Sequence, residues 1–84
     1  MEVKILGPGC PNCKRLEKVA REALAEMGVE ASVTKVTDMT DIMAYNVFAT
    51  PALVIDGKVV TAGQIPSKSE IVSMLATALA EAEA

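Results

Sequence analysis

The sequence of 84 residues contains no histidine and no tryptophan, and its only aromatic residues are Tyr45 and Phe48. The hydrophobic core must therefore be built from Val, Ile, Leu, Met and Ala, a composition that is ordinary for a small globular domain. A chain of this length buries roughly 60% of the surface that its unfolded state exposes, so it has no material for a second core. We therefore expect residues 1–84 to form a single domain.

Long apolar runs and basic clusters are also missing. No run approaches the ~20 residues of a membrane span, and the segment Gly7-Pro8-Gly9 interrupts the start before a signal-peptide core can develop. The formal net charge is −3, and nucleic-acid binding depends largely on Lys and Arg that neutralise phosphates. These absences predict a cytoplasmic protein that binds neither nucleic acid nor membrane.

The two cysteines are the most informative residues present, and they lie in the segment Cys10-Pro11-Asn12-Cys13. Stable structural disulfides are rare in a reducing cytoplasm, so a CxxC pair there favours redox chemistry or metal binding. The thiolate is the reactive form, and a helix start can lower a thiol pKa from ~8.5 to ~3.5–7.5. We expect Cys10 to attack first and Cys13 to resolve the mixed disulfide, with Pro11 stiffening the turn and Asn12 exposed beside it.

The hydrophobic pattern predicts the element order βαβαββα. The first two strands are joined by a helical crossover and should be parallel neighbours, the second lying at an edge of the sheet. Asp56-Gly57 predicts a tight hairpin turn. On the first helix, Glu17 and Arg21 lie opposite the apolar stripe and are interpreted as part of a solvated face. The predicted strands are 2–6, 29–36, 52–55 and 58–62. The first predicted helix runs from Pro11 to a stop at Gly28, and the second from a cap at Thr37 or Asp38 to about Tyr45. The third begins at the capping box Ser67-Lys68-Ser69-Glu70 and ends at Leu79, beyond which the tail should fray.

A metal site is the main alternative for the CxxC segment, because thiolates at this spacing bind zinc or copper(I). A closed zinc site requires four protein ligands, and the chain has no histidine and no cysteine beyond Cys10 and Cys13. The alternative function is therefore metal binding or transfer through a two-coordinate copper(I) site or a zinc site shared with a second chain.

Two segments resemble the thioredoxin-like family: GPGCPNC at 7–13 and YNVFATPALVIDGK at 45–58. The resemblance is closest to the short, glutaredoxin-sized, redox-active disulfide proteins of archaea and anaerobic bacteria. It implies an α/β fold with a four-stranded mixed sheet and helices on both faces. It also implies a cis Pro51 beside the dithiol, a Thr50 backbone that pairs with an extended substrate, and space at Gly63 for a partner, although Gly63 is equally explained as a turn glycine.

The chain departs from the family pattern at several positions. Gly9 replaces the usual tryptophan and would line a more open substrate groove, while Pro11-Asn12 replaces Gly-Pro. The glutathione loop of glutaredoxins is only partly matched. The buried acid that serves the resolving cysteine in many thioredoxins has no counterpart in the first strand, where Lys4 is the nearest ionisable group. Either water accepts the proton of the resolving cysteine, or Lys4 acts on the thiols through its positive field; the alternative for Lys4 is a surface lysine on a partly uncovered sheet face.

The leading hypothesis is a thiol–disulfide oxidoreductase that reduces protein disulfides. We expect it to need no cofactor or metal beyond a redox-active Cys10–Cys13 disulfide, because the dithiol itself carries the electrons, and to work as a monomer. Its expected partners are disulfide-containing target proteins and, as electron donor, a thioredoxin-reductase-like flavoprotein. Tyr45 and Phe48 could form an apolar rim near the site, but at least one of them is expected to fill the core.

Overall fold

The computed structural model describes residues 1–83, which form four strands and three helices in the order predicted from the sequence. The order βαβαββα is thereby confirmed. The strands are β1 (Glu2–Leu6), β2 (Ser32–Val36), β3 (Ala52–Ile55) and β4 (Lys58–Ala62), and the helices are α1 (Pro11–Met27), α2 (Met39–Met43) and α3 (Lys68–Glu83).

The four strands form one mixed sheet in the order β2-β1-β3-β4. β1 pairs with β2 in parallel and with β3 in antiparallel orientation, and the β3–β4 hairpin is antiparallel. The crossover through α1 therefore makes β1 and β2 parallel neighbours, and β2 lies at an edge, as predicted.

Helices cover both faces of the sheet. Val3 and Ile5 of β1 pack in one buried cluster with residues of α1 and α3, whereas Leu6 packs on the opposite face with Ile42 of α2. Successive side chains of a strand point to opposite faces, so a strand between two helical layers must be apolar throughout. All four side chains of β3 are buried, which places this strand at the centre of the fold.

Local sequence signals set the ends of the two long helices. Pro11 begins α1 and Gly28 ends it, as the positions of Pro and Gly predicted. At the start of α3, the Ser67 hydroxyl accepts from the Glu70 N–H at 3.2 Å, and the Glu70 carboxylate accepts from the Ser67 N–H at 3.1 Å. This is the predicted capping box, which satisfies two backbone donors that a helix start leaves free.

Three predicted boundaries are wrong. β2 begins at Ser32 rather than at 29, because Ser32 already pairs with Glu2 at the start of β1, while the Val29 N–H closes the end of α1 through the Leu24 carbonyl. α2 ends at Met43 rather than at about Tyr45, because the backbone hydrogen bonds that follow span three residues instead of the four of an α-helix. α3 does not end at Leu79 but continues to Glu83, because the Ala and Glu residues of this segment are strong helix formers.

Candidate active site

Cys10 and Cys13 lie at the junction between β1 and α1, and they form a disulfide with a Cα–Cα distance of 5.1 Å. Cys10 is the N-cap residue, with extended backbone angles of φ −68° and ψ 164°. Its Sγ accepts a hydrogen bond from the Cys13 N–H at 3.2 Å, and its carbonyl accepts from the Lys14 N–H at 3.1 Å. The Cys10 sulfur therefore lies where the unpaired N–H groups of a helix start converge.

The two cysteines differ in exposure. Cys13 belongs to the first turn of α1 and is only 5% exposed, whereas Cys10 is partly open to solvent. Pro11 and Asn12, which lie between them, are both exposed. A reagent that approaches from solvent therefore meets Cys10 first.

Gly7 makes a close contact that the sequence reasoning missed. A Cβ atom at this position would overlap Cys13 Sγ and would lie 3.2 Å from Cys13 Cβ. The Gly7 N–H donates to the Val36 carbonyl at 2.9 Å, so the end of β1 is fixed against β2. In the sequence, Gly7 stands out only as part of the Gly7-Pro8-Gly9 interruption and of the segment 7–13; the signal that identifies its contact is a glycine that ends a buried strand just before a CxxC pair.

Pro51 also lies close to Gly7 and to the disulfide. The Thr50–Pro51 peptide bond is cis, Pro51 is buried and Thr50 is exposed. A Cβ built on Gly7 would lie 3.9 Å from Pro51 Cα as well as against Cys13 Sγ, so Pro51 is a near neighbour of the disulfide. Two segments far apart in sequence therefore meet at Gly7.

Gly63, the residue after β4, hydrogen-bonds to Pro51. Its N–H donates to the Pro51 carbonyl at 2.8 Å, and its φ of +75° is a conformation that glycine adopts without strain. A Cβ at Gly63 would lie 2.8 Å from the Ala49 Cβ. Gly9 is different, because it is exposed and a Cβ there would meet no atom within 4 Å.

Lys4 is engaged by partners on the sheet face that α2 covers. Its ammonium donates to the Tyr45 hydroxyl at 3.0 Å and lies 3.2 Å from a Glu2 carboxylate oxygen. The Tyr45 hydrogen bond, followed by the Glu2 interaction, raises the pKa of Lys4 above 10.5. Tyr45 also packs against the α2-side core, as expected of one of the two aromatics, whereas Phe48 is 96% exposed.

The described part of the chain offers neither a metal-binding cluster nor a membrane-spanning helix. Among residues 1–83, no three or more His, Cys, Asp or Glu side chains are grouped so that they could hold a metal ion. Within the same range, none of the helices is both long and apolar enough to cross a membrane.

A family model and two individual relatives identify the same family for this chain. Residues 1–76 match the family model described as the thioredoxin domain. The chain is 41% identical over 75 residues to a thioredoxin of Methanothermobacter thermautotrophicus, covering 89% of this chain and 97% of the relative. It is 39% identical over 69 residues to a thioredoxin of Methanocaldococcus jannaschii, covering 82% of this chain and 79% of the relative.

These matches favour redox chemistry over the metal alternative, since both relatives are named thioredoxins. They also agree with the resemblance inferred from the segments around the cysteines and around Pro51. The chain belongs to the thioredoxin family, and it is a thiol–disulfide oxidoreductase whose redox group is the Cys10–Cys13 disulfide.

Proposed function

We propose that Cys10 is the attacking thiol and Cys13 the resolving thiol of this oxidoreductase. In the reduced protein, the Cys10 thiolate attacks one sulfur of a target disulfide, and the other target sulfur leaves as a thiolate. The Cys13 thiolate then attacks Cys10 Sγ, which releases the second target thiolate and closes the Cys10–Cys13 disulfide. The observation that carries this assignment is the contrast between a partly open Cys10 at the helix cap and a Cys13 that is 5% exposed.

The start of α1 supports the reactivity of Cys10. Its Sγ already accepts the Cys13 N–H at 3.2 Å, and the positive end of the helix dipole stabilises an anion at this position. These interactions favour the thiolate form of the reduced Cys10 and so support its role as the nucleophile. Pro11 supports the site by fixing the backbone of the first helical residue, and Asn12 leaves the approach to Cys10 open.

The groove beside the disulfide is proposed to bind an extended segment of the target. Thr50 is exposed and precedes the buried Pro51, so the Thr50 backbone is available to hydrogen-bond with such a segment. Gly9 lacks a side chain and has open space beside it, which leaves room for a partner backbone to approach. Gly63 is proposed to border the same groove through its backbone, since Ala49 occupies the space where its side chain would lie.

Thioredoxins take electrons from a thioredoxin reductase and reduce disulfide-containing targets. For this chain we propose a thioredoxin-reductase-like flavoprotein as the electron donor and disulfide-containing proteins as the targets. We further propose that residues 1–84 act as one monomeric domain in the cytoplasm, without nucleic acid or membrane as a partner. The net charge of −3 supports the absence of a nucleic-acid partner.

Trapping of mixed disulfides tests the roles of the two cysteines. Cys13→Ser keeps the attacking thiol but lacks the resolving one, so it should accumulate covalent complexes with target proteins that dithiothreitol releases. Cys10→Ser is the matched control and should trap few. Equal trapping by the two variants, or faster alkylation of Cys13 than of Cys10 in the reduced protein at mildly acidic pH, would contradict the assignment.

A further inference from the structure

The buried position of Cys13 creates a chemical requirement. A thiol is a poor nucleophile until it has lost its proton, and burial in an apolar setting disfavours the thiolate. Cys13 is only 5% exposed, so its thiol has little direct contact with bulk water. A group beside Cys13 that accepts the proton when Cys13 attacks would therefore speed this step.

A small cavity adjoins Cys13 and contains one carboxylate among its lining residues. The cavity has a volume of about 70 Å³, and its walls include Cys13, Glu17, Lys14, Lys35 and Thr37. A water molecule occupies roughly 30 Å³ of liquid, so this space has room for about two. It is large enough for a short water chain between a sulfur and a carboxylate.

The position of Glu17 suits it to this task. Glu17 lies four residues after Cys13 on α1, a spacing that places the two side chains on the same face of the helix. Its side chain is only 16% exposed, although the sequence reasoning had placed it on a solvated face. One carboxylate oxygen is 2.9 Å from the Arg21 guanidinium, and the other is 3.7 Å from the Lys35 ammonium of β2.

We propose that Glu17 is the proton acceptor for Cys13 during the resolving step, acting through water in this cavity. The Cys13 thiol gives its proton to the Glu17 carboxylate while its sulfur attacks Cys10 Sγ, and the bond between Cys10 and the target sulfur breaks. The target sulfur leaves with the electron pair, and the proton held by Glu17 passes through water to that thiolate or to solvent. This role rests on the proposed order of attack and makes Glu17 a positioning residue, since it acts through the cavity water.

The surrounding charges allow a proton-accepting role to be separated from a field effect. Three cations, Lys14, Arg21 and Lys35, face the cavity or the Glu17 carboxylate, and each of them favours a Cys13 thiolate. The negative charge of Glu17 opposes it. If Glu17 acted only through its field, its neutralisation would speed the resolving step; if it accepts the proton, neutralisation slows that step.

The test is a rapid-mixing measurement with dithiobis(nitrobenzoate), an aromatic disulfide whose thiolate product absorbs visible light. Attack by Cys10 releases one coloured thiolate, and attack by Cys13 on the mixed disulfide releases the second. In Glu17→Gln we expect the first phase to stay within about twofold of the parent and the second to slow by about tenfold or more at neutral pH. The second phase should also become more steeply dependent on pH, because hydroxide must then remove the proton.

Two further variants complete the design. Glu22→Gln makes the same charge change on the same helix outside the cavity, and both phases should match the parent. Glu17→Asp keeps a carboxylate and should give a second-phase rate between those of the parent and Glu17→Gln. A second phase in Glu17→Gln that equals or exceeds the parent rate at every pH overturns the role of Glu17. Loss of the first phase in the parent, or its persistence in Cys10→Ser, overturns instead the proposed order of attack.

Discussion

Substitution of Gly63 by alanine should destabilise the protein for two separable reasons. The φ of Gly63 is +75°, and an L-residue in this region costs about 1–2 kcal/mol. The added Cβ would also lie 2.8 Å from the Ala49 Cβ, an overlap that must be relieved by a backbone shift. Overpacking of this kind costs about 1–3 kcal/mol, so the expected loss in the free energy of unfolding is about 2–5 kcal/mol in total.

Two controls isolate these contributions. Gly57→Ala has a similar φ of +83° but no atom within 4 Å of the new Cβ, so it should lose only the conformational part. Ala49→Gly, introduced together with Gly63→Ala, removes the overlapping atom and should recover the steric part. Urea unfolding followed by far-ultraviolet circular dichroism measures all four proteins, since the chain has no tryptophan to report by fluorescence. If Gly63→Ala loses no more stability than Gly57→Ala, the steric argument fails.

Three other substitutions test separate parts of the structure. Ser67→Ala removes the hydroxyl that caps α3 and should lower the free energy of unfolding in urea by about 1 kcal/mol; an unchanged midpoint would contradict the capping role. Gly7→Val places atoms against Cys13 Sγ, so it should destabilise the oxidised protein by about 1–3 kcal/mol and slow closure of the disulfide, measured by unfolding and by thiol titration. The pKa of Lys4 is raised in the folded protein, so its contact with Tyr45 stabilises the protein fully below about pH 10.5 and is lost as the pH rises through the folded-state pKa of Lys4. Lys4→Gln should therefore lower the free energy of unfolding equally at pH 7 and pH 9. A different loss at these two pH values would refute this.

Much of the fold could be predicted because its signals are local. The capping box at Ser67, the Pro and Gly at the ends of α1 and the turn at Asp56-Gly57 each determine a backbone conformation within a few residues. The all-apolar sequence of β3 is also typical of a strand covered on both faces, which requires helices on both sides of the sheet. The position of the disulfide followed from the same local signals.

The misplaced features depend on tertiary contacts. β2 begins at Ser32 because β1 offers no partner before Glu2, and the alternation of residues 29–31 carries no information about the partner strand. Glu17 has the pattern of a solvated helix position, but its side chain is only 16% exposed and lies 3.7 Å from the Lys35 ammonium of β2, a contact between elements that the helix pattern does not encode.

The environment of the disulfide is built mainly from backbone groups and small residues. The Cys10 sulfur is met by a backbone N–H, Cys13 packs against the side-chain-free Gly7, and Pro51 is held through its carbonyl by the Gly63 N–H. Backbone donors have a fixed position once the helix and the sheet have formed, so this environment can be built without histidine or tryptophan side chains. The step that backbone groups cannot perform is acceptance of a proton from a buried thiol. That step needs a proton acceptor, and the one proposed here is the half-buried Glu17 beside the cavity, whose loss should separate resolution from attack.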